Sequence, residues 1–130
     1  MSDPEHARMM LLLARQDLKA LQGMLDPEIF ATAIFGFHAQ QAVEKSIKAW
    51  LNIAGVVYPK IHDLEELFAL LEEHGSTVPP KFKALGVLTD FAVMLRYEAV
   101  DISAEEITDR KSLLNQVQEL MEHVKAMLDE

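Results

Sequence analysis

Residues 37–51 read Phe-His-Ala-Gln-Gln-Ala-Val-Glu-Lys-Ser-Ile-Lys-Ala-Trp-Leu, and this stretch decides the fold of the chain. Its polar residues return at steps of three and four, which aligns their side chains along one face of an α-helix. We call this face the polar stripe; it consists of His38, Gln41, Lys45, Lys48 and Asn52, with Glu44 at its margin. The opposite face is apolar and consists of Phe35, Ala39, Ala42, Val43, Ile47, Ala49, Trp50 and Ile53. Such a stripe is either a solvated edge of the helix or a place where a polar group is bound.

Helical patterns continue along the rest of the chain, and no strand pattern occurs. Capping residues, prolines and glycines set the expected helix ends. The first predicted helix runs from near Pro4 to Asp26, and the second runs from an Asp26 cap to Ala54. The third runs from a His62 or Asp63 cap to Leu71, and the fourth from Lys81 to Arg96 or Tyr97. The fifth begins at Ser103, which forms a capping box with Glu106, and ends near Leu128. Because the connections are short, we predict an all-α fold, an up-and-down helical bundle of about five helices, in one domain over residues 1–130.

Apolar residues also place two helix faces. The apolar side of the first helix is predicted to consist of Met9, Met10, Leu12, Leu13, Leu18, Leu21 and Leu25. In the first half of the second helix, Phe30, Ile34 and Phe37 lie on the arc that becomes the polar stripe, while Phe35 faces the other way. Apolar residues all round a helix indicate burial on all sides, so this half is either central in the bundle or covered by a second subunit.

Composition bounds the class of protein. The chain of 130 residues is half apolar and has no cysteine, which excludes disulfides, thiolate zinc sites and cysteine nucleophiles and fits a reducing cytoplasm. No run approaches the roughly 18 to 20 apolar residues that cross a bilayer, so we expect no membrane association. The start of the sequence is acidic and does not resemble a signal peptide.

The net charge of -9 argues against broad, non-specific affinity for nucleic acid. The charge is unevenly distributed, because Glu44 is the only acid between residues 29 and 61, which also contain Lys45, Lys48 and Lys60. Residues 98–130 hold nine acids and three bases. The second helix therefore suits an anion, whereas the last helix either attracts a basic partner or, as we favour, serves solubility.

Two dipeptides outside the stripe have alternative interpretations. Asp63 of His62-Asp63 is suited to capping the third helix, and His62 can instead contact an anion beside the exposed N–H groups of that helix. Arg96 of Arg96-Tyr97 either interacts with the last carbonyls of its helix or acts as a planar clamp for phosphate.

Three segments in this order resemble the HEPN family of small all-helical domains. They are the helix with His38, Gln41, Glu44, Lys45 and Lys48, then residues 61–67 (Ile-His-Asp-Leu-Glu-Glu-Leu), then residues 95–98 (Leu-Arg-Tyr-Glu). The resemblance extends from about Arg8 to Leu128, and it favours the phosphate-clamp role for Arg96. It implies a nucleotide- or phosphate-binding site formed by His38, Gln41, Glu44, Lys45, Lys48, His62, Asp63, Arg96 and Tyr97.

In HEPN ribonucleases the arginine opens a motif of Arg, four to six residues, then His, and two copies meet in a homodimer. In this sequence the histidine positions after Arg96 hold Asp101, Ile102 and Ser103. The missing histidine therefore argues against catalysis, and Arg96 is the one catalytic candidate.

Other chemistry lacks its residues. The five histidines show no zinc-ligand spacing, and the five glycines form no phosphate loop, so we expect no metal and no cofactor.

The resemblance implies a cytoplasmic accessory or toxin-type module that binds a nucleotide or RNA phosphate. Small members of the family pair with a minimal nucleotidyltransferase in toxin-antitoxin systems, and we expect a homodimer. Two alternatives stay open, an endoribonuclease toxin with an altered active site and a purely structural interaction dimer.

Overall fold

The computed structural model describes residues 3–91 and 109–129. The helices in these ranges are α1 Pro4–Gly23, α2 Thr32–Ala54, α3 Leu64–Glu73, α4 Pro80–Lys83 and α5 Arg110–Leu128. A 3₁₀ helix spans Ala84–Leu88, and residues 89–91 are helical again. The described residues contain no strand, so the predicted all-α bundle is confirmed.

Helix α2 is the centre of the bundle. It packs against α1 along most of its length and also contacts α3, the 3₁₀ helix and α5. The apolar face predicted for it is buried, apart from the half-buried Ile53. Buried apolar residues from every described helix join it in one continuous core, so the polar stripe lies at the edge of the most tightly packed helix.

Local sequence signals start and stop these helices. The side chain of Asp3 accepts a hydrogen bond from the backbone N–H of His6, and Asp63 accepts from Glu65 and Glu66. Each bond satisfies N–H groups that the first turn of a helix leaves without partners. Helix α2 ends at Gly55, whose φ of 76° is the left-handed conformation that glycine adopts at low cost.

The predicted apolar side of α1 is partly wrong. Met9 and Leu12 are half exposed or more, and Leu13 and Leu25 are also at the surface. The buried face instead consists of Ala7, Ala14, Asp17, Leu18 and Leu21. The buried face thus combines two alanines with Leu18 and Leu21, while the other large apolar residues of the prediction are less buried.

Helix α2 begins later than predicted. The side chain of Asp26 caps a turn by accepting from the N–H of Glu28 at 2.9 Å, but the chain is extended at Ala31 and the helix starts at Thr32. Arg110 of α5 binds both sides of the interruption, since its guanidinium donates to the carbonyl of Met24 at 2.8 Å and to Thr32 Oγ1 at 3.3 Å. A residue distant in the sequence thus fixes both ends of the α1–α2 connection.

The fourth predicted helix also needs correction, and the fifth is described only in part. The predicted fourth helix is divided, because the chain tightens to 3₁₀ geometry at Ala84–Leu88. In the described residues, helix α5 starts at Arg110, and Asp109 caps it by accepting from the N–H of Ser112. The Ser103 and Glu106 pair and the Arg96 and Tyr97 pair lie outside the described residues.

One glycine allows close packing. A Cβ atom on Gly36 would lie 2.4 to 2.6 Å from the ring of Phe91, far inside van der Waals contact. Because residue 36 is a glycine, the backbone of α2 can pack directly against the ring of Phe91.

None of the helices in the described ranges has the length and apolar character needed to cross a membrane.

Candidate functional site

The polar stripe is organised around two carboxylates. Asp17 of α1 binds His38 and Lys45, and we call these three residues the Asp17 network. Glu44 binds Gln40, Lys48 and His62, and we call these four residues the Glu44 network. Three residues of the predicted stripe, His38, Lys45 and Lys48, are thus held by two carboxylates.

The Asp17 network joins α1 to α2. Lys45 Nζ lies 2.6 Å from Asp17 Oδ2, and His38 Nδ1 lies 3.1 Å from Oδ1. His38 and Lys45 are seven residues apart, two helical turns, so they reach the same carboxylate from one face of α2. The separate oxygens leave each donor its own acceptor.

The Glu44 network joins α2 to the segment before α3. Lys48 Nζ donates to Glu44 Oε2 at 3.0 Å, and Gln40 Nε2 donates to Oε1 at 2.9 Å. His62 Nδ1 lies 3.0 Å from Oε1 and 3.2 Å from Oε2. Because an ionised carboxylate only accepts hydrogen bonds, Nδ1 is the donor, and the Nε2 edge of His62 is turned away from the carboxylate.

Two glutamines complete the second network. Gln40 is fully buried and also donates to the backbone carbonyl of His62 at 3.3 Å. Gln41 donates to Gln40 Oε1 at 2.7 Å. The position of His62 is therefore held through its ring and through its backbone. Asn52, the last residue of the stripe, belongs to neither network; its carbonyl accepts from the N–H of Asp3 at 2.9 Å.

The environment of Glu44 favours its ionised form. Burial by itself raises the pKa of the carboxyl, but hydrogen bonds from Gln40, Lys48 and His62, together with the charge of Lys48, outweigh burial. The pKa of Glu44 is therefore lowered from its usual 4.5. The network thus has a permanent negative centre at neutral pH.

In all four ion pairs of the two networks the carboxylate is the more buried partner. The side chain of Glu44 is 6% exposed, against 12% for Lys48 and 45% for His62. Asp17 is 12% exposed, against 24% for Lys45 and 32% for His38. A group approaching from solvent consequently meets the nitrogen side of each pair first.

The charges of the lysines are not free, contrary to the sequence-based expectation. Lys45 and Lys48 each contact a carboxylate, so two positive and two negative charges balance when both histidines are neutral. The prediction overlooked Asp17 because that residue belongs to another helix. An anion bound at the stripe must therefore be held by hydrogen bonds from the partly exposed donors rather than by a net positive charge.

The start of α3 is closed to an anion. Asp63 accepts from the N–H groups of Glu65 and Glu66, Thr89 Oγ1 accepts from that of Leu64, and the Asp63 carbonyl accepts from that of Leu67. The N–H groups at the start of α3 are therefore already paired, and Asp63 caps the helix as predicted.

Sequence reasoning missed Asp17 and Gln40. Asp17 offered a signal, since it lies between Ala14 and Leu21 at the three- and four-residue steps of the buried face of α1. An acid at such a position needs a buried partner. Gln40 is on the margin of the stripe, and its sequence neighbours gave no comparable signal.

Metal chemistry has no support in the described part of the chain. Within residues 3–91 and 109–129, no three His, Asp or Glu side chains lie close enough to hold a metal ion.

The fold and the site define a small helical domain whose polar networks are centred on one long helix. The family model described as HEPN domain matches residues 7–127, nearly the whole chain. The chain belongs to the HEPN family, and the resemblance noted in the sequence is confirmed. No curated protein matches the chain, and no solved structure does.

Proposed function

We propose that this protein binds the phosphate of a nucleotide or of RNA at the polar stripe and works as an accessory or toxin-type module with a minimal nucleotidyltransferase. Family membership supports a function related to nucleotides or RNA. The proposal places the protein in the cytoplasm. Arg96 and Tyr97 remain proposed members of the site, although they lie outside the described residues.

The outward orientation of the donors is the observation that supports this binding site most directly. The donors of His38, Lys45 and His62 are partly exposed, and each contacts a carboxylate that is more deeply buried. The carboxylates hold these donors in fixed positions, which lowers the entropy lost when a phosphate is bound. Because the local charge is balanced, we expect weak binding that decreases with salt.

The test uses ATP and a short uridine RNA as separate probes, in a chelator, with binding followed by fluorescence anisotropy. The double variant Lys45→Met with His62→Gln removes one outward donor from each network. We expect it to weaken binding about fivefold, roughly the effect of one or two partly exposed charged contacts. The matched control Lys111→Met with His74→Gln makes the same chemical changes at exposed residues outside the networks and is expected to bind as the wild type does.

Other results would replace this proposal. Equal binding by the two double variants would identify the stripe as a solvated edge and favour a purely structural dimer. RNA cleavage in the chelator that is lost in His62→Gln would favour the endoribonuclease alternative, because the Glu44 carboxylate orients the His62 ring as a general base requires.

We also propose that the protein forms a homodimer through the end of the bundle near residue 30. Ile29 is 71% exposed there, and Phe30, Ile34 and Phe37 are only partly buried.

We expect the wild type to sediment as a dimer at micromolar concentration. Ile29→Asp is expected to shift it towards a monomer, because the interface would then have to bury a charge. Val87→Asp, at a residue that is 62% exposed, is the matched control and should leave the dimer intact. A wild-type monomer would contradict the proposal.

A further inference from the structure

A groove runs between α1 and α5 on a surface that shares no residue with the two networks. It consists of two adjoining depressions of about 310 and 250 Å³, which share Leu11, Arg15 and Lys125. Along the groove the residue numbers increase on α1 and decrease on α5, so the two helices that form its walls are antiparallel. We call this surface the α1/α5 groove.

The floor of the groove is apolar. Leu18 and Met121 are buried at its base, and Leu11 and Leu128 are half buried. Leu12 is 59% exposed on the wall. This is one of the α1 positions that the sequence predicted to be in the core, and it remains uncovered by the described residues.

The rim of the groove is basic. Seven lysines and arginines of the described residues form no ion pair with a described acid; they are Arg8, Arg15, Lys19, Lys60, Arg110, Lys111 and Lys125. Four of the seven, Arg8, Arg15, Lys19 and Lys125, line the groove. The acids in the lining are Glu122 and Asp129, so the groove has a formal charge of +2 in a chain of net charge -9. Among the described residues, most cations without an ion pair thus lie in this groove, whereas Lys45 and Lys48 of the polar stripe are paired.

We infer that the α1/α5 groove docks an acidic amphipathic helix of a partner protein. The α1 wall extends from Arg8 to Gln22, which corresponds to about 21 Å or four helical turns. A helix of that length can place apolar side chains at steps of three and four on the floor, with carboxylates beside the rim cations. Charge complementarity of this kind sets the orientation and the specificity of the partner.

The apolar floor favours a peptide over a nucleic acid. A phosphate backbone would use the rim cations but would leave Leu12 and the floor without a partner. An acidic amphipathic helix satisfies both the rim and the floor. This inference is independent of phosphate binding at the stripe, because either surface can be altered without changing a residue of the other.

The probe is a synthetic helical peptide of about sixteen residues, with leucines on one face and glutamates on both sides of them. Its binding to the whole protein is measured by fluorescence anisotropy at two salt concentrations. We expect Arg15→Glu with Lys125→Glu to weaken binding about tenfold or more, through loss of two attractions and gain of two repulsions. The matched control, Lys60→Glu with Lys111→Glu, has the same change in net charge at unpaired cations outside the groove and is expected to change binding less than about twofold.

Leu12→Asn tests the apolar part without changing charge, and at an exposed position it leaves the core intact. We expect a loss of about threefold or more, because the variant removes apolar surface that the peptide would bury. Equal effects of the two charge-reversal variants would overturn the proposal, since they would show attraction by overall charge. Equal binding of a peptide with lysines in place of the glutamates would overturn it as well. So would a uridine RNA that binds through Arg15 and Lys125 when the peptide does not, or self-association of the protein through these residues.

Discussion

Replacing Glu44 with alanine is expected to lower the free energy of unfolding by about 3 to 5 kcal/mol, because it leaves buried charged and polar partners without their acceptor. Lys48 and Gln40 are among those partners, and both are mostly or fully buried. Chemical denaturation followed by circular dichroism measures the effect. Glu119→Ala is the control: Glu119 forms a 3.0 Å ion pair with Lys81, but both side chains are more than half exposed. We expect that control to lose less than about 1 kcal/mol.

The pH dependence of stability gives a second measurement on the same residue. The pKa of Glu44 is lowered in the folded protein, so its ionised form contributes stability that is fully present above the unfolded pKa of about 4.5. As the pH falls, the unfolded chain takes up the proton first, and the contribution disappears as the pH passes through the lowered folded pKa. The stability difference between the wild type and Glu44→Gln is therefore expected to shrink as the pH falls below about 4.5. A difference that grows below that pH would contradict the network.

Replacing Arg110 with alanine is expected to cost about 2 to 4 kcal/mol, the combined scale of charged hydrogen bonds and a cation–π contact. Arg110 is 7% exposed, donates to the Met24 carbonyl and to Thr32 Oγ1, and lies 5.0 Å from the centre of the Phe35 ring. Burial lowers the pKa of its guanidinium, and the nearby carboxylate of Asp26 offsets this only in part. The group still stays charged, because the pKa of arginine lies far above neutral pH.

The neighbouring residue provides the control for Arg110. Lys111 is exposed and forms no ion pair with a described acid, so Lys111→Ala is expected to change stability by less than about 0.5 kcal/mol. Arg110→Lys should give an intermediate loss, because an ammonium keeps the charge but lacks the planar fork that reaches two acceptors. If the two alanine variants were equally stable, the junction of α1, α2 and α5 would not depend on this arginine.

The two residues have different consequences for the proposed function. Glu44 supports the donors that face solvent, so its loss is expected to disturb phosphate binding together with stability. Arg110 lies at the other end of α2, against its first turns. If Arg110→Ala lowers the stability of the fold but leaves phosphate binding at low temperature unchanged, Arg110 supports the fold and is not part of the site.

Patterns within a few residues predicted the fold. The three- and four-residue spacing in α2 gave its buried face, Asp63 gave the start of α3, and Gly55 gave the end of α2. Each of these signals acts within about one helical turn, through side-chain alignment or through bonds to nearby N–H groups. The all-α class was predictable because such local preferences agree along the chain.

The tertiary structure decided which distant partners the polar side chains bind. Lys45 pairs with an acid 28 residues away, His62 with one 18 residues away, and Arg110 reaches a carbonyl 86 residues away. Hydrophobic burial packs α1 and α5 against α2, and that packing alone selects which charges meet. The sequence by itself determined that α2 carries a polar stripe. Lys48 pairs with Glu44 one turn away in α2, as sequence spacing allows, but packing determined that Lys45 is neutralised by Asp17 of α1. Packing also brought four described cations without ion pairs together in the groove between α1 and α5, because contacts across helices do not depend on sequence spacing.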